Sequence, residues 1–243
     1  MPEMMFPEPG KPEEKKREKE KNIAPHLEFD AEFHPDQRLR QIAKSIRDFV
    51  NDPENYMDKG GAGSVYTLGE DAGVCVKIIK NRHGRASSEQ YDLGNSIRDE
   101  AMFLRKLSDF SVKGVRSPEY ISALTGGQYG ALIMEKLDAI NLQHIINGEA
   151  EPPAGFNPVA FFDDVDTYIT ALHDEKGVCH MDLEPRNLMV DRSTGKPYII
   201  DFGRSVSTQG LSPQERRKRE DDDLDKLMAG EKALLEVLDK SKN

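Results

Sequence analysis

Apolar and polar residues alternate with changing periods along the first half of the chain, and these periods predict its helices and strands. Apolar side chains recur every three or four positions from residue 35 to 50, the spacing of an amphipathic helix that packs on one face. They alternate with polar residues from 55 to 80 around a Gly-rich turn, which predicts a β-hairpin. A second helix is expected at 95–107, followed by short strands at 120–124 and 131–134.

The second half of the chain is expected to contain more helix. A helix at 161–173 leads into a loop at 177–187, and short strands at 188–190 and 198–200 enclose a turn. The last helix is predicted at 220–238. Because strands dominate early and helices dominate late, the expected fold class is α+β with two lobes.

The N-terminal segment differs in composition from the rest. Residues 1–22 consist largely of Pro, Glu and Lys with few apolar side chains, so they cannot offset the entropy cost of folding and are expected to be a disordered tail. A lysine-rich arm that binds a partner is the alternative, although its basic and acidic residues balance. Residues 23–54 are expected to form a helical extension to a folded domain at 55–243.

Charge and cysteine content narrow the function classes. The chain of 243 residues carries 44 acidic and 34 basic side chains, and this net charge of −10 argues against broad nucleic-acid binding, which needs clustered Lys and Arg. No apolar run approaches the roughly 20 residues of a membrane span, and only two cysteines occur. We therefore expect no membrane partner and a reducing, cytoplasmic compartment, with delivery into a host cell as an open alternative.

The most specific pattern is the stretch HMDLEPRN at 180–187, followed fourteen residues later by DFG at 201–203. In order and spacing this pattern resembles the catalytic loop and the metal-binding motif of protein kinases. The resemblance implies that Asp182 accepts the proton of a substrate hydroxyl, and that Asn187 and Asp201 hold Mg²⁺ between the phosphates of ATP. The two strands expected between the motifs would form the hairpin that brings Asn187 and Asp201 together.

Two stretches nearer the N-terminus are similar to the phosphate-binding parts of the same family. The stretch GGAGSV at 60–65 resembles the end of the Gly-rich loop, although Asp58 stands at the position of its first glycine. The stretch VCVK at 74–77 resembles the strand whose Lys contacts the α and β phosphates. Glu100 fits the helix residue that pairs with Lys77 and keeps it charged.

The stretch MEKL at 134–137 resembles the segment that links the two lobes. The resemblance implies that the backbone of Glu135 and Leu137 reads adenine, while apolar side chains enclose the base. The nucleotide-binding residues implied in this way are Gly60, Gly61, Gly63, Val65, Cys75, Lys77, Met134, Glu135, Leu137 and Met189.

The resemblance divides the folded domain into an N-lobe at 55–134, a hinge at 135–137 and a C-lobe at 138–243. Only 40 residues follow Gly203 and they contain no Ala-Pro-Glu motif, so the helical C-lobe is expected to be truncated. Such an ending is similar to that of minimal, atypical kinases: RIO-like kinases, the small kinase of the tRNA-threonylcarbamoylation complex and compact kinases that bacteria inject into host cells. One acidic residue near the start of the last helix is expected to brace the catalytic loop through its backbone N–H groups. The candidates are Asp222, Asp223 and Asp225.

Two substitutions in the catalytic loop depart from the family pattern. Met181 replaces the Arg that usually receives an activation-loop phosphate, so the usual switching by phosphorylation is not expected. Glu184 replaces the Lys expected two residues after Asp182, and its charge would repel a phosphoryl group. Arg186 is the candidate cation that offsets Glu184.

The expected function is that of an atypical kinase that transfers the γ-phosphoryl group of ATP to a hydroxyl, on a Ser or Thr of a protein substrate. The catalytic residues implied by the resemblance are Asp182, Lys77, Glu100 and Arg186, and the implied cofactors are ATP and Mg²⁺. Two alternatives stay open. A small-molecule kinase for sugars or antibiotics would explain the short C-lobe, and Glu184 would suit its polyol or amine substrate. A pseudokinase that acts as a binding or scaffold module would explain Asp58, Met181 and Glu184.

Overall fold

The computed structural model describes residues 52–59, 63–68, 73–80, 97–126 and 129–240, together with seven residues between 37 and 50. The tail predicted at 1–22 lies outside these residues, as do Gly60 and Gly61 of the Gly-rich stretch. Of the helix predicted at 35–50, every described residue is helical, and Ile46 is fully buried.

After these helical residues, the described part of the chain from residue 52 contains twelve short strands and four α-helices. The strands are β1 (Tyr56–Lys59), β2 (Gly63–Thr67), β3 (Val74–Lys80), β4 (Ser111–Val112), β5 (Val115–Arg116), β6 (Tyr120–Gly126), β7 (Tyr129–Glu135), β8 (Ala139–Asn141), β9 (Val178–Cys179), β10 (Leu188–Asp191), β11 (Pro197–Ile199) and β12 (Val206–Ser207). The helices are α1 (Ile97–Lys106), α2 (Leu142–Ile146), α3 (Pro158–Ala171) and α4 (Pro213–Lys240).

An antiparallel sheet in the order β1-β2-β3-β7-β6 forms the first lobe. Its central strand β3 alternates its side chains between two faces, as any pleated strand does. Val76 and Ile78 pack with Ile46 in one hydrophobic cluster. Lys77 and Ile79 follow the opposite parity, and Ile79 belongs to the cluster that contains α1. The alternation therefore places Lys77 on the face that α1 covers.

Helix α1 packs closely on this sheet because a glycine on β7 leaves room for it. A Cβ atom at Gly130 would lie 2.7 Å from Cγ1 of Ile97, the first residue of α1. Phe103 and Leu104 on the same helix are buried in the main core. The close approach brings Glu100, which is 1% exposed, over strand β3.

The second lobe is built around α3 and α4 and shares its core with the first. Leu132 on β7, Phe162 on α3 and Leu234 on α4 belong to one continuous hydrophobic cluster. Two small sheets, β4-β5-β11-β10-β8 and β12-β9, lie beside these helices. A Cβ at Gly230 would meet the ring of Pro185 at 3.2 Å, so α4 passes close to the loop between β9 and β10. The mixed architecture in two lobes confirms the predicted fold class.

The last helix begins seven residues before its predicted start. Helix α4 starts at Pro213, whereas the apolar periodicity used for the prediction begins later. Ser212 and Glu215 form a capping box, in which the Ser212 hydroxyl accepts from the Glu215 N–H and the Glu215 carboxylate accepts from the Ser212 N–H. A polar first turn is stabilised in this way without apolar contacts. Across the described part of the chain, no helix combines the length and the apolar character that a membrane crossing needs.

Candidate active site

The loop between β9 and β10 folds back so that Asp182 and Asn187 touch. A 3₁₀-turn at Pro185–Asn187 ends the loop. The Asn187 amide nitrogen donates to the Asp182 backbone carbonyl at 2.7 Å and to the Asp182 carboxylate at 3.1 Å. Both residues are buried, at 5% and 3% exposure, and these contacts hold the Asp182 side chain in one orientation.

Helix α4 braces this loop through Asp223, which is one of the three carboxylates that the sequence proposed. The Asp223 carboxylate accepts hydrogen bonds from the backbone N–H groups of His180 and Met181, both at 2.7 Å. It also accepts from His173 Nε2 at 3.0 Å and is fully buried. Met181 has φ 65°, a left-handed backbone that costs of order 1–3 kcal/mol for a residue other than glycine. The two charged hydrogen bonds to Asp223 offset that strain.

His180 ties the catalytic loop to the segment that carries Asp201. Complete burial lowers the pKa of His180, although nearby carboxylates act in the opposite direction, so the ring is neutral at pH 7. Its Nε2 lies 3.0 Å from the carbonyl oxygen of Ile200 and donates to it. Its ring also packs edge-on against Phe202 at 4.8 Å. The residues on both sides of Asp201 are thereby held against the loop.

Lys77 lies between two carboxylates that come from different lobes. Its Nζ donates to both carboxylate oxygens of Glu100 at 2.9 Å and to Asp201 at 2.8 Å. Burial by itself would lower the pKa of Lys77, but Glu100 and Asp201 outweigh it and raise the pKa above its usual value. Burial likewise acts to raise the pKa of Asp201, and Lys77 outweighs it, so the pKa of Asp201 is lowered. Lys77 and Asp201 are therefore charged at neutral pH, whereas burial outweighs the contact with Lys77 at Glu100 and raises the pKa of that carboxyl group.

The arrangement of Asn187 and Asp201 fits a hard divalent cation. The backbone N–H of Ile200 donates to the Asn187 carbonyl at 3.0 Å, which places Asn187 beside the residue that precedes Asp201. The amide nitrogen of Asn187 is used for Asp182, so its amide oxygen is the atom left for a ligand. One oxygen of the Asp201 carboxylate contacts Lys77, and the carboxylate also accepts from the Gly203 N–H, so it would bind a cation through its remaining lone pairs. Oxygen ligands of this kind are those that Mg²⁺ prefers.

The residues implied for adenine binding lie along β2, β3 and the end of β7. Cys75 and Met134 are register partners on neighbouring strands, and Val65 pairs with Lys77. Met189 is half-buried on β10, in the small sheet β4-β5-β11-β10-β8. Burial raises the pKa of the Cys75 thiol to about 12, so the protonated sulfur donates to the carbonyl of Glu135 at 3.5 Å.

The backbone of the hinge is partly committed to the protein itself. The Glu135 N–H donates to Glu119 O and the Lys136 N–H donates to Gly73 O, both at 2.9 Å. The Leu137 N–H is the next donor along the segment, and the Glu135 carbonyl contacts only the weakly donating thiol of Cys75 in the hydrogen bonds described above. Binding of adenine by the Glu135 carbonyl and the Leu137 backbone stays a prediction.

Gly63 has a structural role that the sequence did not indicate. A Cβ atom at this position would lie 2.2 Å from the carbonyl oxygen of Ile78 on the neighbouring strand. Close packing of β2 on β3 therefore requires glycine here, whether or not a phosphate approaches this turn.

One ion pair at the hinge was missed by the sequence reasoning. Arg116 binds Glu135 with two hydrogen bonds, at 2.5 and 2.7 Å, and its guanidinium lies 4.8 Å above the ring of Tyr198. Partial burial would raise the pKa of Glu135, but the contact with Arg116 lowers it. Arg116 belongs to no family motif, and no local pattern pairs it with a residue 19 positions away.

Three cations meet at the Asp182 carboxylate. Arg186 donates to both of its oxygens at 3.0 and 3.1 Å and also pairs with Glu184. Arg204 lies 3.5 Å and Lys226 lies 3.9 Å from Asp182 Oδ1. Arg186 was a predicted site residue, whereas Arg204 and Lys226 were not.

Comparison with known proteins places these features in one family context. A family model described as protein kinase domain matches residues 54–219. The chain is 28% identical over 161 residues to the serine/threonine-protein kinase mos of Patiria pectinifera, a match that covers 62% of this chain and 40% of mos. It is 27% identical over 150 residues to the serine/threonine-protein kinase pkn2 of Myxococcus xanthus, which covers 60% of this chain and 17% of pkn2.

A human relative and a solved structure are similar at the same level. The chain is 25% identical over 180 residues to the human receptor-interacting serine/threonine-protein kinase 1, covering 74% of this chain and 24% of that protein. The crystal structure of WbdD at 2.2 Å is similar with a TM-score of 0.48 and 22% identity, over 67% of this chain and 35% of WbdD. The chain spans less than half the length of each of these three curated relatives.

Proposed function

The chain belongs to the protein kinase domain family, and we propose that it is an active, atypical kinase that transfers the γ-phosphoryl group of ATP to a Ser or Thr hydroxyl of a protein. The observation that supports this most is the position of Lys77. Its ammonium contacts Glu100 in the first lobe and Asp201 in the second. In active protein kinases this Lys–Glu pair and the aspartate of the DFG motif must both be in place. The names of the three curated relatives support Ser or Thr as the acceptor.

In the proposed reaction, Asp182 orients the acceptor hydroxyl and takes its proton as the new O–P bond forms and the bond from the γ-phosphorus to the ADP oxygen breaks. Asn187 holds the Asp182 carboxylate in position through its amide nitrogen. Asn187 would hold Mg²⁺ through its amide oxygen and Asp201 would hold it through its carboxylate. Lys77 would position the α and β phosphates. Bound Mg–ATP supplies the phosphoryl group and neutralises the charge that develops on its oxygens.

The charges around Asp182 support a neutral hydroxyl over an amine as the acceptor. Glu184 by itself would have suited a cationic or polyol acceptor, but Arg186 pairs with it and neutralises its charge. An amine that approached Asp182 would therefore meet Arg186, Arg204 and Lys226 instead of free carboxylates. A neutral hydroxyl meets no such repulsion.

A phosphoryl-transfer assay tests the proposal. The purified chain is incubated with Mg²⁺, γ-labelled ATP and a mixture of proteins, and the label is assigned by phosphoamino-acid analysis. We expect label on Ser or Thr, and we expect Asp182→Asn to lower the rate by about 10²–10⁴-fold, the usual contribution of a general base. The matched control is Asp166→Asn, an exposed carboxylate on α3, which retains the wild-type rate.

Three results would contradict the proposal. Equal labelling by the wild type and Asp182→Asn would show that Asp182 takes no part in transfer. Turnover of a sugar or aminoglycoside without any labelled protein would favour the small-molecule kinase. ATP binding without transfer to any acceptor would favour the pseudokinase.

A further inference from the structure

One of the cations around Asp182 comes from an element that carries none of the recognised motifs. Lys226 lies on α4, and its Nζ is 3.9 Å from Asp182 Oδ1. Arg186 lies in the catalytic loop, four residues after Asp182, and Arg204 directly follows the DFG motif. We call these three residues, Arg186, Arg204 and Lys226, the cation cluster.

The position of Lys226 is fixed by the same helix turn that braces the loop. Residues three apart on an α-helix are neighbours on one face, and Lys226 follows Asp223 by three positions. Asp223 binds the Met181 N–H at 2.7 Å, and Lys226 Nζ donates to the Met181 carbonyl at 2.6 Å. Helix α4 thus binds both the N–H and the carbonyl group of Met181. This double contact sets the distance between the Lys226 ammonium and Asp182.

The Lys226 ammonium retains donors for an anion. An ammonium has three N–H donors, and the contact with Met181 uses one of them. The side chain is 35% exposed, so it reaches the surface of the site while its stem is covered. A phosphoryl oxygen that is transferred to a hydroxyl beside Asp182 comes within reach of the remaining donors.

The charge balance at this point favours an additional anion. The three positive charges of the cation cluster face two negative charges, those of Asp182 and Glu184, which leaves an excess of one positive charge. Arg186 is engaged by both of these carboxylates, and its Nη1 and Nη2 are used for them. Lys226, at 3.9 Å, is the farthest of the three from Asp182 and keeps two N–H donors after its contact with Met181, so it can bind a phosphoryl group.

We propose that Lys226 supplies from α4 the positive charge that Glu184 removed from the catalytic loop, and that its ammonium binds the γ-phosphoryl group during transfer. This inference rests on the proposed function and deepens it. Preorganised donors that face developing charge contribute about 10²–10³-fold to a rate. Because the Lys226 side chain is 35% exposed and partly screened by water, we expect it to contribute about tenfold to a hundredfold to the rate.

The first experiment replaces the charge and keeps the length of the side chain. We expect Lys226→Met to lower kcat by about tenfold to a hundredfold, while KM for the protein substrate stays within about twofold of the wild-type value. Lys226→Arg should retain most of the activity because it keeps the charge. The control is Lys232→Met, an exposed lysine further along α4, which should match the wild type.

The second experiment moves the charge back to the loop. If Lys226 takes over the role of the missing loop lysine, Glu184→Lys in the Lys226→Met background should restore kcat to within a few-fold of the wild type. A residue that only clamps Met181 would show no such rescue, because residue 184 does not contact the Met181 carbonyl in this way. Failure of the rescue would therefore overturn the proposal in favour of a structural clamp.

A binding measurement keeps this inference separate from the proposed function. Calorimetry measures the affinity of the protein for two nucleotides in the presence of Mg²⁺. One is a non-hydrolysable ATP analogue and the other is ADP. We expect Lys226→Met to weaken binding of the analogue and to leave ADP binding unchanged, since only the analogue has a γ-phosphoryl group. The ratio of the two affinities tests the role of Lys226 even if the wild type transfers no phosphate. Absence of transfer would contradict the proposed function alone. An equal loss for both nucleotides, or a raised KM for the protein with unchanged kcat, would overturn the assignment.

Discussion

Two parts of the site hold their charges in different ways. In the proposed function they are the nucleotide side, around Lys77 and Glu100, and the acceptor side, around Asp182. On the nucleotide side, the Lys77 and Glu100 side chains are 5% and 1% exposed and contact each other directly. On the acceptor side, Arg186 and Arg204 are 46% and 47% exposed while they surround Asp182. The first arrangement is a buried ion pair within the first lobe, and the second is a half-solvated cluster of several cations around one carboxylate.

This difference explains where the chain departs from its family. A buried charge that loses its partner is left without solvation, so neither Lys77 nor Glu100 can be replaced singly at low cost. A half-exposed charge can be supplied by any cation that reaches the same point, because water screens the remaining mismatch. Met181 and Glu184, the two departures in the catalytic loop, both lie on the acceptor side.

The largest expected effect is that of Lys77→Met, which breaks the buried side. Glu100 would stay buried without its partner, and loss of one member of such a pair costs about 3–5 kcal/mol. We expect a drop of this size in the free energy of unfolding measured in urea, together with loss of phosphoryl transfer. Lys232→Met serves as the control. A stability change near zero would show that the pair is solvated and would remove the contrast between the two sides.

The next effect concerns Asp223, which supports the acceptor side from below. Asp223→Asn keeps the size of the side chain but replaces one acceptor oxygen with a donor that faces backbone N–H groups. We expect a loss of about 1–3 kcal/mol in unfolding free energy, the cost of an unsatisfied buried group. Asp225→Asn, an exposed residue on the same helix, should stay within about 0.5 kcal/mol of the wild type. Equal effects of the two variants would contradict the bracing role.

A smaller effect is expected at the hinge, where burial is intermediate. Arg116→Ala removes two hydrogen bonds to Glu135 from a pair that is 32% and 26% exposed. Because the pair is bidentate and partly buried, we expect a loss of about 1 kcal/mol and a higher KM for ATP with little change in KM for the protein. The exposed pair of Arg192 and Asp138 provides the control, since Arg192→Ala should change neither. An unchanged KM for ATP would separate the hinge from nucleotide binding.

The smallest expected effect is a pH dependence that comes from His180. The pKa of this group is lowered in the folded protein from its usual 6.5, so the unfolded chain binds more protons as the pH falls below that value. By linkage, His180 makes folding less favourable as the pH falls below about 6.5 and has no such effect above it. His180→Gln should therefore show a shallower fall of Tm between pH 6.5 and 5 than the wild type. Parallel Tm curves would show that the ring is protonated in the folded state.

The family and the fold class could be predicted because their evidence is local in sequence. The motifs at 180–187 and 201–203, and the strands between them, occupy one short stretch, and the structure folds that stretch as expected. Asp223 could be narrowed only to three neighbours, since the helix phase that separates it from Asp222 and Asp225 depends on packing. The roles assigned to the individual site residues stay predictions that the experiments above test.

The missed features depend on contacts between distant parts of the chain. Arg116 on β5 meets Glu135 on β7, a strand of the other five-stranded sheet, and the pairing of β5 with β11 places Arg116 opposite Tyr198. Lys226 reaches Asp182 because α4 passes close to the catalytic loop. No periodicity records such meetings. The early start of α4 is different, because Ser212 and Glu215 form a capping-box pattern that was readable in the sequence.

The brace from Asp223 also sets an order of events during synthesis. His180 leaves the ribosome 43 residues before Asp223, which at about 5–20 residues per second is a delay of roughly 2–9 s. During this delay the N–H groups of His180 and Met181 have no carboxylate to bind, and nothing yet compensates the left-handed backbone at Met181. A nascent chain that already contains every recognised kinase motif therefore still lacks the hydrogen bonds that hold its loop at His180 and Met181. These bonds form only after the first turns of α4 have been translated and have docked.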